Sequence, residues 1–217
     1  MGFEIQEPLQ PFMGRKERRR SSAGKLFLGD HCDLRNDAEV QKLMAKHGEP
    51  PLVLFSCEVL KINRRGEAVP RTLLVCANSI FLLDADARRG ARRKIPLRSL
   101  ASLRMSEMSD NFLAMVCPAE YDLLLVCGRK TELVVVLREA HRCAMVELGM
   151  GGGEGRGSRS VDAGGGGRGA DVGLRVELSN RFTYKAGANV AKAVTFTRAG
   201  DGEVDTEVAD IVASSPG

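Results

Sequence analysis

The sequence predicts a mainly β, α+β domain: a seven-stranded antiparallel barrel or sandwich capped by one C-terminal helix. Three observations predict it. Between residues 52 and 127 the chain is a succession of short apolar segments of strand length. Clusters of turn-forming residues separate them at nearly regular intervals. The segment that follows, residues 130–148, continues without Gly or Pro for longer than a single strand needs.

The elements follow in order. Residues 1–35 read as an N-terminal arm: a flexible lead containing Pro8, Pro11 and Gly14, then the basic cluster Arg15, Lys16, Arg18, Arg19 and Arg20, broken only by Glu17. In NDAEVQKLMAKH (36–47) an Asx cap precedes Val40, Leu43 and Met44 at helical spacing, and Gly48 with Pro50 and Pro51 ends the helix. The strands are LVLFSCEVLKIN, RTLLVC, SIFLLD, RKIPL, LASLRMS, FLAMVC and YDLLLVC. Their turns fall at residues 64–70, 77–78, 85–90, 109–111 and 118–120. KTELVVVLREAHRCAMVEL is the capping helix, its length outweighing the β-prone Val134, Val135 and Val136. This completes a core domain over 36–148, and seven strands closed by one helix is the pleckstrin-homology plan. Residues 149–173 are so rich in Gly that they cannot bury enough surface to offset backbone entropy, and are expected to be a disordered insertion. Two closing strands over 174–200 are expected to extend the sheet, and the acidic end, 201–217, is expected to fray.

Charge narrows the function. The net charge is +4, but residues 1–100 hold 19 Lys and Arg against 12 Asp and Glu, and the remainder is slightly acidic. A basic surface is therefore expected on the first half, where it can attract an anionic partner. The six cysteines, Cys32, Cys57, Cys76, Cys117, Cys127 and Cys143, contain no C-x-x-C pair and mostly lie in apolar runs, as small buried hydrophobes do in a reducing compartment. With His31, His47 and His141 scattered, no metal-ligand set is visible. No nucleophile and base at catalytic spacing, no G-x-S-x-G and no phosphate-cradling G-x-x-x-x-G-K-[ST] occurs, so neither catalysis nor a cofactor is expected. The longest apolar runs, such as 133–137, fall far short of the roughly 20 residues of a spanning helix, and residues 1–7 suit neither a myristoylation signal nor a secretory leader. Any membrane contact is then peripheral. The basic cluster would also suit nucleic-acid phosphates, but the chain has no Trp and its Phe residues lie in apolar runs, which disfavours stacking on bases. Protein scaffolding through the sheet or the long helix stays open.

Five blocks in order carry a family resemblance: GRKERRRSSAGKLFLGD (14–30), VLFSCEVLKINRRG (53–66), RTLLVCANSIFLLD (71–84), RRKIPLRSLASLRMSEMSDNFLAMV (92–116) and YDLLLVCGRKTELVVVL (121–137). Together they resemble the tail homology 1 domain of class I myosins, across about residues 12–148, with LRVELSNRF and AVTFTRAG resembling its closing strands. The resemblance implies a non-catalytic pleckstrin-homology-like domain. Its implied partners are anionic phospholipids, phosphoinositides especially, and it would tether an actin-based motor to plasma membrane or endomembranes on the cytoplasmic side. Motor and light chains would join it only if encoded upstream, and actin only indirectly.

The same resemblance implies where a headgroup sits: at the open end of the barrel, between the first two strands and their loop. Lys61 and Arg71 match the ends of the family's phosphoinositide signature, a Lys on the first strand and, past the loop, a basic residue, any residue, then Arg. Val69 stands where the middle basic residue is expected. Arg64 and Arg65 in the loop complete the expected headgroup set. Arg92, Arg93 and Lys94, near Arg88 and Arg89, and the cluster Arg15, Lys16, Arg18, Arg19 and Arg20 are expected as auxiliary membrane contacts. By charge pattern alone Lys61, Arg64, Arg65 and Arg71 also fit a solvated hairpin tip, the cluster at 88–94 solubility and protection of a strand edge, and the cluster at 15–20 a solvated arm or the end of a basic helix. Val69 shifts the expectation from one stereospecific pocket toward a broad anionic-lipid surface.

Overall fold

The strands form where apolar segments alternate with turns, as a computed structural model of the chain shows; it describes residues 29–85, 90–147, 173–200 and 203–211. After β1 (Gly29–Asp30) and helix α1 (Ala38–Lys46) come β2 (Phe55–Ile62), β3 (Ala68–Val75), β4 (Ser79–Asp84), β5 (Ala91–Pro96), β6 (Ser102–Met105), β7 (Phe112–Val116) and β8 (Leu123–Val126). Helix α2 spans Lys130–Glu147. The seven strands β2 to β8 and α2 follow the pleckstrin-homology plan.

Sheet order is β5-β4-β3-β2-β8-β7-β6, so β2 joins the two halves through Leu60↔Val126 and Lys61↔Leu125. The consecutive strands β5 and β6 stand at opposite ends of this order, connected through a 3-10 turn at Leu97–Ser99. Inner faces supply Leu73, Leu82, Ile95, Leu103, Leu113 and Leu125 to one core, and α2 plugs it with Leu133, Leu137 and Ala140. A fully buried Leu contributes roughly 1.5–3 kcal/mol, and Leu73, Leu103, Leu113 and Leu125 each retain 0% exposure.

The strand segments are continuous apolar runs because their outer faces are covered too. Val40 and Met44 of α1 pack on Leu74, Phe81 and Leu83, outward residues of β3 and β4, and on Cys76 just past β3. Asp37 caps α1 by accepting from the Glu39 and Val40 backbone N–H groups at 2.9 and 3.1 Å. The other covered region carries Ile62, Ala114, Leu124 and Val126.

What covers it departs from expectation. The closing region forms four strands, not two: β9 (Arg175–Leu178), β10 (Arg181–Gly187), β11 (Val190–Arg198) and β12 (Val204–Asp210). Only β9 extends the main sheet, parallel to β6 from Ser102↔Arg175 to Met105↔Leu178. Strands β10, β11 and β12 form a separate antiparallel sheet whose Phe182, Tyr184, Val194 and Phe196 seal the outer face of β7 and β8. The break comes at Ser179, whose hydroxyl donates to the Arg181 carbonyl at 2.6 Å. Strand β12 lies in the acidic stretch expected to fray. Its period-2 pattern explains the difference: Val204 and Val208 pack inward against the small sheet's cluster, while Asp205 and Glu207 face water.

The first hairpin is also tighter than residues 64–70 suggested. Asn63 closes it: its side-chain oxygen accepts from the Arg65 and Glu67 N–H groups, and Gly66 takes φ +88°. Ala68, Val69 and Pro70 therefore belong to β3, opposite Ile62, Lys61 and Leu60. Pro70 is tolerated because pairing of β3 with β4 begins only at Arg71↔Asp84, leaving Pro70 one strand neighbour. Residues 15–20, the insertion apart from Gly173, and Arg88 and Arg89 lie outside the described residues.

Candidate functional site

Side chains alternate across a strand, so parity decides which cations enter the barrel mouth. Lys61 shares its face of β2 with the core residues Cys57 and Val59, and Arg71 shares its face of β3 with Leu73 and Val75. Arg93 pairs with Leu82 and faces inward with Ile95. All three cations thus rise from the inner wall at the end where loop 63–67 and the turn before Asp122 lie.

Tyr121 lies against two of them. The Arg93 guanidinium carbon is 3.9 Å from its ring centroid and the Lys61 ammonium 5.8 Å. The Arg93 side chain is 6% exposed; its Nη2 donates to the Tyr121 carbonyl and, at 3.1 Å, to Glu120. Its Nε and Nη1 have no hydrogen-bond partner. Burial lowers the Lys61 pKa, and the nearby Arg93 and Arg71 charges lower it further. Beneath the site, burial pushes the Cys117 thiol up to about 11 against the opposing pull of Arg93. Cations held this close repel one another, and an anion placed between them would relieve that repulsion.

Two carboxylates partly neutralise the mouth. Asp84, directly opposite Arg71 and 8% exposed, stands 3.8 Å from the Arg71 Nη1. Both its oxygens accept from the Arg92 Nε, at 2.8 and 2.9 Å. Arg92 reaches it from a β-bulge, where the β4–β5 register shifts between Leu82 and Leu83. Four cations, Lys61, Arg71, Arg92 and Arg93, therefore face two carboxylates, Asp84 and Glu120.

The expected headgroup residues separate accordingly. Lys61 and Arg71 lie together on the inner wall, diagonal to each other, with Val69 directly opposite Lys61. Arg64 and Arg65 are exposed at the loop tip, and the Arg64 side chain leans on Gly187, where a Cβ would come within 3.0 Å of its Cδ. Of the auxiliary set, Arg93 is in the mouth and Arg92 at its rim. Lys94 faces outward instead, 5.7 Å from the Phe81 ring centroid and 3.4 Å from the His47 carbonyl at the end of α1. Tyr121, Asp84 and Glu120 were not among the expected residues; strand parity points to Asp84, two positions past the inward Leu82.

A second concavity of about 1050 Å³ opens outside the barrel, between β2–β3 and residues 105–111. Leu60, Met105, Met108 and Leu178 line it with Glu58, Glu107 and Asp110, the last paired to Lys130 at 3.2 Å. Its three carboxylates outnumber its cations, Arg71 and the paired Lys130, which makes it a poor anion site. Among the described residues no helix is long and apolar enough to cross a membrane.

Comparison with known proteins identifies a family. The family described as unconventional myosin tail, actin- and lipid-binding, matches residues 18–154. The chain is 26% identical over 191 residues to myosin heavy chain IB of Acanthamoeba castellanii, covering 85% of the chain and 14% of that relative. It is 26% identical over 145 residues to the myosin ID heavy chain of Dictyostelium discoideum, covering 61% of the chain and 13% of the relative. The chain thus spans about a seventh of the length of these curated relatives. Among solved structures, the C-terminal PH domain of pleckstrin in complex with D-myo-Ins(1,2,3,5,6)P5 is 18% identical with a TM-score of 0.38, covering 42% of this chain and 97% of that one.

Proposed function

Because the chain belongs to the unconventional myosin tail family, a non-catalytic tail domain, we propose that it is a peripheral membrane tether, laying the open end of its barrel on anionic phospholipid. The observation that carries this reading is the convergence of Lys61, Arg71 and Arg93 on the inner wall, with Lys61 and Arg93 over the Tyr121 ring. In a longer protein carrying the motor, the same contact would hold an actin-based motor at the membrane surface.

Two contributions add. The mouth offers Arg71 as a planar fork and Lys61 as a mobile point charge for phosphate oxygens. The basic residues Arg15, Lys16, Arg18, Arg19 and Arg20 add long-range attraction, about 1 kcal/mol for each one near an anionic leaflet, screened beyond a Debye length of about 8 Å. Sedimentation with anionic vesicles is therefore expected to fall steeply along a salt series; binding that persists unchanged at high salt defeats the electrostatic account. The double change Lys61→Ala, Arg71→Ala is expected to weaken binding by about tenfold or more. If only neutralisation of the cluster at 15–20 mattered, the mouth would have no part in the tether.

A further inference from the structure

Two guanidiniums of the mouth, Arg71 and Arg92, already face a carboxylate, and a third, Arg93, is held through one of its nitrogens. Asp84 accepts from Arg92 through both oxygens and faces Arg71, while Glu120 holds Arg93. Asp84 is not a rim residue drifting in solvent: its side chain is 11% exposed and its backbone is fixed in register opposite Arg71. A phosphate that approaches Arg71 must take the place of a carboxylate already there, which can stay with Arg92. We propose that Asp84 is a built-in competitor for the headgroup, setting a charge threshold that favours polyphosphorylated inositol headgroups over singly charged ones. This inference rests on the membrane reading above.

The physical basis is the exchange itself. A carboxylate fixed against two guanidiniums has lost little entropy by staying, so a headgroup carrying one net charge gains little by displacing it. Vicinal phosphomonoesters bring more charge and more acceptor oxygens. They can engage Lys61 and Arg71 together while Asp84 retains the exposed Arg92, whose side chain is 63% exposed and free to follow.

The test compares vesicles of phosphatidylcholine doped with phosphatidylserine or with phosphatidylinositol bisphosphate, matched for total anionic charge. Asp84→Asn is expected to raise affinity for the phosphatidylserine vesicles about tenfold while raising bisphosphate affinity no more than the general loss of one negative charge does, about fivefold at most. Glu67→Gln, which removes one negative charge at the hairpin tip, serves as control and should raise both alike, by about fivefold at most. If Asp84→Asn raises both lipids alike, or lowers both with an unchanged melting temperature, the competitor role is wrong. Wild-type protein that sediments with neither lipid overturns the membrane reading itself, whereas wild-type selectivity unaltered by Asp84→Asn overturns only the threshold. A second measurement needs no variant. Titrating the unsubstituted protein with soluble inositol trisphosphate should move the Asp84 carboxylate carbon and the Arg92 Nε–H resonances together. Static resonances under saturating headgroup overturn the exchange, and saturation by free headgroup without vesicles shows that the phosphates, not the bilayer, are what Asp84 competes with.

Discussion

Lys130 and Asp110 show how a single residue's role depends on contacts that sequence separation hides. Lys130 is 7% exposed, and its ammonium lies 3.2 Å from Asp110, which also accepts from the Ser106 hydroxyl and the Phe112 N–H. In the sequence Lys130 was only the first residue of a helix. Removing one member of a buried pair leaves the other charge uncompensated, so Lys130→Met is expected to destabilise the fold by about 3–5 kcal/mol in denaturant titration. His141 gives a pH-dependent counterpart. It is buried on α2, its Nδ1 has no hydrogen-bond partner, and burial lowers its pKa below the usual 6.5. The unfolded chain then binds a proton more readily than the folded one as pH falls below 6.5. Stability contributed by neutral His141 is complete above that value and is lost as pH drops through the folded pKa. Melting temperatures measured from pH 7.5 down to 5 should therefore decline in wild type, and His141→Leu should flatten that decline.

At the scale of elements, the sequence was most legible where an apolar run had turn residues on both sides. β4, SIFLLD, occupies residues 79–84 as expected, because Asn78 and Ala85 bracket it. The capping helix was legible from length, despite three consecutive valines. β12 was hidden because its acidic composition outweighed a clean alternation of Val204, Thr206 and Val208. The small sheet's structural weight can be measured. Val208 packs into the cluster that includes the buried Val194 and Phe196, so Val208→Asp would place a carboxylate against an apolar face. A loss of about 2–4 kcal/mol is expected. Loss of the outer cover should also raise binding of a hydrophobic dye, and a variant as stable as wild type would show that β12 is dispensable. The candidate site was half legible for a related reason. Lys61 and Arg71 could be read from the hairpin, but whether Arg92, Arg93 and Lys94 point inward depends on a bulge that no composition rule announces.

For the whole molecule, the uneven charge seen in the sequence becomes an orientation. Lys61, Arg71 and Arg93 gather at the open end, and Arg64 and Arg65 stand at the hairpin tip there. On the separate small sheet, β12 turns Asp205 and Glu207 to solvent. An anionic surface attracts the first group and repels the second, and both forces act within about 8 Å at physiological salt. The domain should therefore dock with its hairpin tip toward the bilayer and β12 held away from it. The absence of Trp from all 217 residues makes this directly measurable, because one introduced Trp is the sole indole reporter. Arg65→Trp is expected to shift its emission to the blue when anionic vesicles are added and to be quenched by brominated lipids. Glu207→Trp, on an exposed position of β12, should do neither while the protein still sediments with the vesicles. Quenching of the reporter at 207 with none at 65 would reverse the docking face and place lipid contact on the small sheet. Equal quenching of both would mean that the protein lies on the membrane without a fixed orientation, which the concentrated charge at the barrel mouth does not allow.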